Sequence, residues 1–305
     1  MKASFIRALT ELAEKDKDIV LITGDLGFGV FEPFEERFPD QYFNVGIAEQ
    51  SMIGIACGLA KAGKKVFVYS IGNFVTLRCL EQIRNDAIYH GLNVNLVCQG
   101  GGFTYGQLGV SHHATEDLAI IRALPEVVIV APSNTFQVIE AVKKLNEIQA
   151  VSYLRLEKVS NGKQITSEQF SLGKPVYIDF QADVLIIAIG SIVSEALEAQ
   201  LSLSDLVKVS VLDFHTLRPY DKSYVLSILK QHKLIISLEE HQINGGLGSL
   251  LAEIIVESQL PLKLKRMGID NKLISEVGDQ NYLRSINYID SVSIIKYIKE
   301  ELSID

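Results

Sequence analysis

The chain has 305 residues, 48 % of them hydrophobic, enough to bury two ordinary domain cores. A formal net charge of −8 with no Lys/Arg-rich stripe excludes nucleic acid and anionic membrane surfaces as expected partners. The longest apolar run, 184–189, is only strand-length, and the helical pattern begins at once after Met1, with no signal-peptide stretch. Cys57, Cys79 and Cys98 are widely spaced, without a CxxC pair, and read as reduced core thiols, not as a disulfide frame or zinc site. A cytoplasmic α/β protein is expected.

Phe5, Ile6, Leu9, Leu12 and Ala13 recur at helical spacing, and 18–23 follows as a buried strand. Gly24-Asp25-Leu26-Gly27-Phe28-Gly29 forms a loop at that strand's carboxyl end. A short strand over 41–44 is broken by Gly46, after which Ile47, Met52, Ile53, Ile55, Ala56, Leu59 and Ala60 repeat with helical period. Glu49 therefore falls in the first turn of a largely buried helix at a strand-to-helix corner. An acid there already suits the helix dipole. Glycine and apolar neighbours, however, would dehydrate the carboxylate, so it needs a cation or a ring nitrogen as partner. The alternation continues with a strand at 66–70, a helix over 74–90, a strand at 94–98 and a Gly-rich loop. Beyond it come a helix over 116–123, a strand at 127–131, a helix over 134–146 and a strand at 151–154. Near-continuous apolar strands between helices predict a parallel sheet covered on both faces. Such sheets gather function at strand carboxyl ends, where the Asp25 loop, Glu49, the 70–74 segment and the Gly100 loop all fall.

The apolar pattern fades from 157 to 175 and resumes at 183, with strands at 207–212, 233–238 and 262–266 and a last helix over 292–302. The expected organisation is two doubly wound α/β domains: a mostly parallel first domain (1–160), a linker (161–178) and a smaller second domain (179–305). Glu240-His241-Gln242-Ile243-Asn244-Gly245-Gly246-Leu247-Gly248 lacks the third glycine of a dinucleotide fingerprint and stands in the wrong unit, so turn and close-packing glycines are expected. His112-His113 follows Gly109-Val110-Ser111 in the loop beside the Glu49 end of the sheet. A neutral imidazole there can bond a substrate oxygen. The alternative is one packed and one solvated ring, and no spacing supports a metal pair.

The string Asn44-Val45-Gly46-Ile47-Ala48-Glu49-Gln50 resembles the Ile-Ala-Glu-Gln signature of transketolases and their thiamine-diphosphate relatives. The resemblance covers essentially all 305 residues but only the C-terminal half of a transketolase, its pyrimidine-binding and C-terminal domains. It implies that Glu49 hydrogen-bonds the aminopyrimidine of thiamine diphosphate. Phe74 would stack on that ring, with Arg78 just beyond it, and Asp25-Leu26 would line the thiazolium. It also implies that His112 contacts the substrate carbonyl region, with His113 supporting the loop. Leu108 stands where the family has an acid that recognises a sugar hydroxyl. Gly100 and Gly29 replace a His and a Ser that bind sugar phosphate, and Lys2 remains as a cation at the family-like start. The family's Gly-Asp-Gly…Asn motif for diphosphate and Mg²⁺ is absent, since neither Gly24-Asp25-Leu26 nor Gly278-Asp279-Gln280-Asn281 fits it.

The resemblance thus implies the C-terminal subunit of a split transketolase. Its N-terminal partner subunit would carry the Mg²⁺ ligands, in a heterotetramer of two copies of each chain acting on sugars or sugar phosphates. Either the space left by the glycines suits a sugar other than an ordinary pentose phosphate, or the partner subunit supplies the missing phosphate contacts. Alternatives are acyloin formation as in 1-deoxy-D-xylulose-5-phosphate synthase, a 2-oxoacid dehydrogenase decarboxylase β subunit, or a non-catalytic scaffold subunit.

Overall fold

The computed structural model describes residues 1–158 and 169–304. In the first part, β1 (Ile19–Thr23), β2 (Tyr42–Asn44), β3 (Lys65–Ile71), β4 (Val94–Gln99), β5 (Val128–Val130) and β6 (Ser152–Leu156) form a parallel sheet. Between them run α1 (Lys2–Ala13), α2 (Glu32–Arg37), α3 (Glu49–Lys61), α4 (Gly72–Thr76), α5 (Leu80–Gln82), α6 (Asp117–Ala123) and α7 (Thr135–Glu147). The strands are apolar on both sides because both sides are covered. Ile19 and Leu21 face Phe5, Leu9, Val138 and Ala141 of α1 and α7, while Val20 and Ile22 face Met52, Ile53, Val75 and Leu118. Asn134 starts α7 by accepting a hydrogen bond from the Gln137 amide at 2.9 Å, the usual reason for Asn at a helix start.

The second part holds β7 (Val176–Ile178), β8 (Val184–Ile189), β9 (Val209–Asp213), β10 (Thr216–Arg218), β11 (Leu234–Gln242) and β12 (Lys263–Ile269). Its helices are α8 (Val193–Ser202), α9 (Lys222–Leu229), α10 (Leu247–Glu257), α11 (Gln280–Ile286) and α12 (Ser291–Leu302). Five of these strands make the second sheet in the order β12-β11-β8-β9-β7, with only β7 antiparallel. The fold is thus two α/β units with mostly parallel sheets, as the alternating pattern predicts.

Three features depart from the sequence expectation. Residues 161–168 of the expected linker 161–178 lie outside the described residues, and its last three, Val176–Ile178, are already β7 of the second sheet. The short β10 leaves its own half of the chain and pairs antiparallel with β5, giving a seven-stranded first sheet in the order β10-β5-β6-β4-β3-β1-β2. The helix expected over 74–90 is broken: α4 gives way to a 3₁₀ turn at Leu77–Cys79, then α5, then a π-helical stretch at Ile83–Ile88. Such irregular helices recur at functional sites, where a side chain must be aimed off the regular spiral.

The two sheets share their interior. One apolar cluster runs from Val68 and Leu96 of the first sheet to Leu185, Ile187 and Leu251 of the second part. Beside it, Asp213 at the end of β9 accepts hydrogen bonds from Ser133 Oγ and Gln137 Nε2 of the first part, both at 2.7 Å. Cys57, Cys79 and Cys98 are buried free thiols, and burial raises the pKa of each. No helix among the described residues is long and apolar enough to cross a membrane.

Candidate active site

Parallel register brings the carboxyl ends of β1, β3 and β4 side by side, with Thr23 opposite Tyr69 and Ile71 opposite Gln99. The chain leaves β2 through Gly46, whose φ of +76° suits glycine, and the Ala48 amide closes the turn on the Gly46 carbonyl at 2.8 Å. Glu49 is then the first residue of α3, its side chain only 4 % exposed. Gly24 lies against it, since a Cβ there would be 3.8 Å from Glu49 Cγ.

Among the described residues, one cation meets this carboxylate. Arg78, projecting from the 3₁₀ turn, donates from Nη1 to Glu49 Oε2 at 3.1 Å, and its guanidinium carbon lies 3.8 Å from the centre of the Phe74 ring. The Arg78 side chain is 47 % exposed, so the pair is buried on the carboxylate side only. Phe74 in turn meets the His112 ring edge-on at 5.4 Å. Thus Glu49, Arg78, Phe74 and His112, chosen from sequence, form one contiguous row. Asp25 joins it through Asn44, whose Oδ1 accepts from the amides of Asp25 (2.9 Å) and Gly46 (3.0 Å). Leu26 is half-buried in the same loop.

The two histidines separate as the sequence suggests. His112 is half-buried, and its Nδ1 lies 2.9 Å from Ser111 Oγ. Burial first, then the nearby Arg78 and His113, hold its pKa below the ordinary imidazole value, so the ring is neutral at neutral pH. His113 is buried, its Nε2 3.1 Å from the Gly106 carbonyl and its ring edge-on to Phe103 at 5.3 Å. Asn73 Nδ2 clamps the same stretch by donating to the carbonyls of His113 (2.9 Å) and Ser111 (3.2 Å).

The glycines of this loop do not provide room. A Cβ on Gly100 would lie 2.4 Å from the Tyr105 ring, one on Gly101 2.6 Å from Arg155, and one on Gly102 2.3 Å from Glu240. Gly100 is buried beneath Tyr105, which corrects its expected place in an open substrate pocket. Leu108 does face outward, 57 % exposed on the turn Gly106–Leu108. Phe28, Ile47, Leu77 and Val110, on the segments that carry or flank the row of Asp25, Glu49, Arg78 and His112, are exposed as well.

The glycine-rich stretch at 245–248 is structural, as expected from sequence. Glu239 fills the start of α10, accepting from the amides of Leu247 and Gly248 at 2.8 Å each, and a Cβ on Gly246 would strike it. Sequence reasoning overlooked Asn73, Tyr105 and the buried Arg155–Glu240 seam. Asn73 and Tyr105 had a local signal, polar and aromatic residues flanking the chosen positions; the seam had none.

As a test of fit, a nearly buried carboxylate beside a half-buried phenyl face suits a flat heterocycle bearing ring nitrogens. Nothing comparable suits a metal-bound diphosphate: among the described residues no group of three or more His, Cys, Asp or Glu is placed to hold a metal ion.

Residues 1–162 match the family model described as "Transketolase, pyrimidine binding domain", and residues 173–285 the one described as "Transketolase, C-terminal domain". The chain belongs to the transketolase family. Among its relatives, an apulose-4-phosphate transketolase subunit of Actinobacillus succinogenes is 34 % identical, the match covering 86 % of this chain and 85 % of that one. The 1-deoxy-D-xylulose-5-phosphate synthase of Halothermothrix orenii is 33 % identical over 96 % of this chain, which spans only 46 % of that enzyme. A solved split-gene transketolase, described as an inactive beta4 tetramer, superposes with a TM-score of 0.87 at 30 % identity, covering 99 % of this chain and 97 % of that one.

Proposed function

We propose that this chain is the C-terminal subunit of a split transketolase, moving a two-carbon ketol unit from a ketose donor to an aldose acceptor with thiamine diphosphate. The observation that carries this is the nearly buried Glu49 carboxylate beside the Phe74 face, both met by one flat cation, Arg78. An aminopyrimidine offers the same pair of surfaces, a π-face and a hydrogen-bonding nitrogen. When bound, the cofactor supplies the electron sink. Glu49 holds the hydrogen bond and shared proton at the pyrimidine ring nitrogen, and Phe74 fixes the plane of that ring. Arg78 gives up part of its present contact with both. Neutral His112 bonds the substrate oxygen, and Asp25 and Leu26 border the thiazolium side.

The diphosphate and its Mg²⁺ belong, on this reading, to an N-terminal partner subunit, in a cytoplasmic heterotetramer of two copies of each chain. The exposed apolar side chains Phe28, Ile47, Leu77 and Val110 support that division. So does the split-gene relative, described as inactive in its beta4 form. Alone, the chain is expected to bind thiamine diphosphate weakly and to show no turnover. Calorimetric titration and a ketol-transfer assay, with and without a partner bearing Gly-Asp-Gly…Asn, test this. Steady turnover by the isolated chain refutes it.

The sugar is proposed to differ from a common pentose phosphate. Leu108 cannot accept the hydroxyl hydrogen bond that an acid would, and a site without that group loses the corresponding selection. The Actinobacillus relative, named for apulose-4-phosphate, supports an unusual sugar. Turnover of xylulose 5-phosphate with ribose 5-phosphate at roughly 10⁴ M⁻¹s⁻¹ or better contradicts this part. Similarity to the deoxyxylulose-phosphate synthase favours acyloin formation as the second reading, and pyruvate offered against ketose donors separates the two.

A further inference from the structure

The loop bearing His112 is closed at its neck by Gly102 and Ala114, which exchange amide hydrogen bonds of 2.9 and 3.0 Å. Both sides of that neck are gripped at the seam between the sheets. On one side, the Phe103 amide donates to Glu240 Oε1 at 2.6 Å, and Glu240 lies near the carboxyl end of β11 in the second sheet. On the other, Arg155 Nη2 donates to the Ala114 carbonyl at 3.0 Å and to the Glu240 carbonyl at 3.1 Å. Gly102, at φ +59°, makes the approach possible, because any Cβ there would collide with the Glu240 carboxylate.

Glu240 is itself held firmly. Gln280 Nε2 donates to Oε1 at 2.9 Å, and Arg284 Nε donates to Oε2. Arg284 also bonds Glu195 at 3.1 Å and Ser191 Oγ at 2.9 Å. The same segment of the second part underlies the loop's far turn. The Gly278 amide reaches the Gly106 carbonyl at 3.4 Å, and a Cβ on Gly106 would strike Leu283. From the neck the contact passes inward: Phe103 packs on the His113 ring, and His113 holds the Gly106 carbonyl. His112, next in the chain, donates its amide to the Gly109 carbonyl of the same loop at 2.9 Å, and its ring lies edge-on to Phe74 and Tyr105.

We propose that Glu240 is a positioning residue for substrate recognition: it acts through Phe103 and His113 to set the loop that presents His112 and Leu108. This rests on the transketolase-type reading of that loop, and it gives the second part of the chain a role at a site whose row of contacts lies wholly in the first. A buried, fully paired carboxylate is suited to the task because a charged acceptor holds a backbone amide more tightly than a neutral one does. Misplacing a substrate-facing group by about 1 Å from a distance can cost on the order of 10²-fold.

The test uses the partnered enzyme and the variants Glu240→Gln, Gln280→Leu and Glu195→Gln. Glu240→Gln breaks a buried ion pair and can fail to fold. Gln280→Leu removes only one neutral donor to Glu240, and Glu195→Gln loosens the same seam on the Arg284 side away from the loop. Donor KM and kcat are measured together with backbone hydrogen exchange over 103–113 and thiamine-diphosphate affinity. Gln280→Leu is expected to raise donor KM about tenfold with kcat nearly unchanged and to speed loop exchange, while Glu195→Gln leaves both near wild type. Cofactor affinity stays within about threefold throughout, because Glu49 and Phe74 are untouched. Unchanged KM and unchanged loop exchange in Gln280→Leu overturn the proposal, as does an equal effect from Glu195→Gln. If the protein transfers no ketol unit, the transketolase reading fails instead, and loop exchange still reports on the grip of Glu240.

Discussion

The seam between the sheets and the mouth of the first sheet both pair arginine with carboxylates, and they do so in opposite ways. In the seam, Arg155 is fully buried and bonds Asp117 at 2.8 Å, Glu157 and two carbonyls, while Tyr153 adds a 2.7 Å bond to Asp117. Burial pushes the Glu157 carboxyl up against the pull of Arg155, and the Ser191 amide bonds it at 2.7 Å. Every charge there has several partners, so no single contact can be exchanged cheaply. At the mouth, Glu49 has one side-chain partner among the described residues, Arg78, and that partner stands half in solvent. On the proposed reading, ion pairs of like composition serve different ends: the seam fixes geometry, and the mouth holds a carboxylate ready for a ligand.

The contrast is open to breakage at either end. Glu49→Gln keeps the shape but cannot share the proton, so turnover of the partnered enzyme is expected to fall about 10²–10⁴-fold with Tm almost unmoved. A variant that unfolds instead would place Glu49 with the seam. Arg155→Met leaves Asp117 and Glu157 buried and uncompensated, and urea unfolding is expected to show a loss of about 3–5 kcal/mol. A loss below about 1 kcal/mol would show the seam to be as replaceable as the mouth.

Asp213 sharpens the comparison through pH. Burial raises its carboxyl to about 6, against the opposing hydrogen bonds from Ser133 and Gln137. The folded form therefore binds its proton more firmly than the unfolded chain does. Stability from this group is full below about pH 4 and is lost as pH rises through 6, by roughly 3 kcal/mol for a shift of about two units. The stability gap between wild type and Asp213→Asn is expected to shift by that amount between pH 4 and 7.5, and a constant gap contradicts it. The smallest effect concerns His112: its lowered pKa places the acid limb of kcat/KM below the usual imidazole value of about 6.5, and a limb above that value would mean a charged ring.

The Glu49 corner was legible because its signals are local: Gly46 breaks the strand and the apolar spacing that follows winds the helix. The parallel sheets were legible for the same reason, in strands such as 184–189 that are apolar throughout. β10 was not, because Thr216-Leu217-Arg218 is too short for a pattern and its partner strand lies far back in the sequence. The seam was invisible because Arg155 and Glu240 are 85 residues apart, and charge alone does not say which acids are buried. Gly100 misled for a third reason, and its neighbours Gly101 and Gly102 are filled in the same way. A missing side chain leaves space only if nothing else enters it, and here Tyr105, Arg155 and Glu240 do.

The central claim is that Glu49 controls the proton on the cofactor's pyrimidine ring. Its most direct measurement is the rate of deuterium exchange at the thiazolium carbon of bound thiamine diphosphate, in the partnered enzyme, for wild type and Glu49→Gln. Exchange in the variant is expected to be slower by about 10²–10⁴-fold at equal cofactor occupancy. Exchange at the wild-type rate would contradict the claim and leave Glu49 as an acid favoured only by the start of its helix.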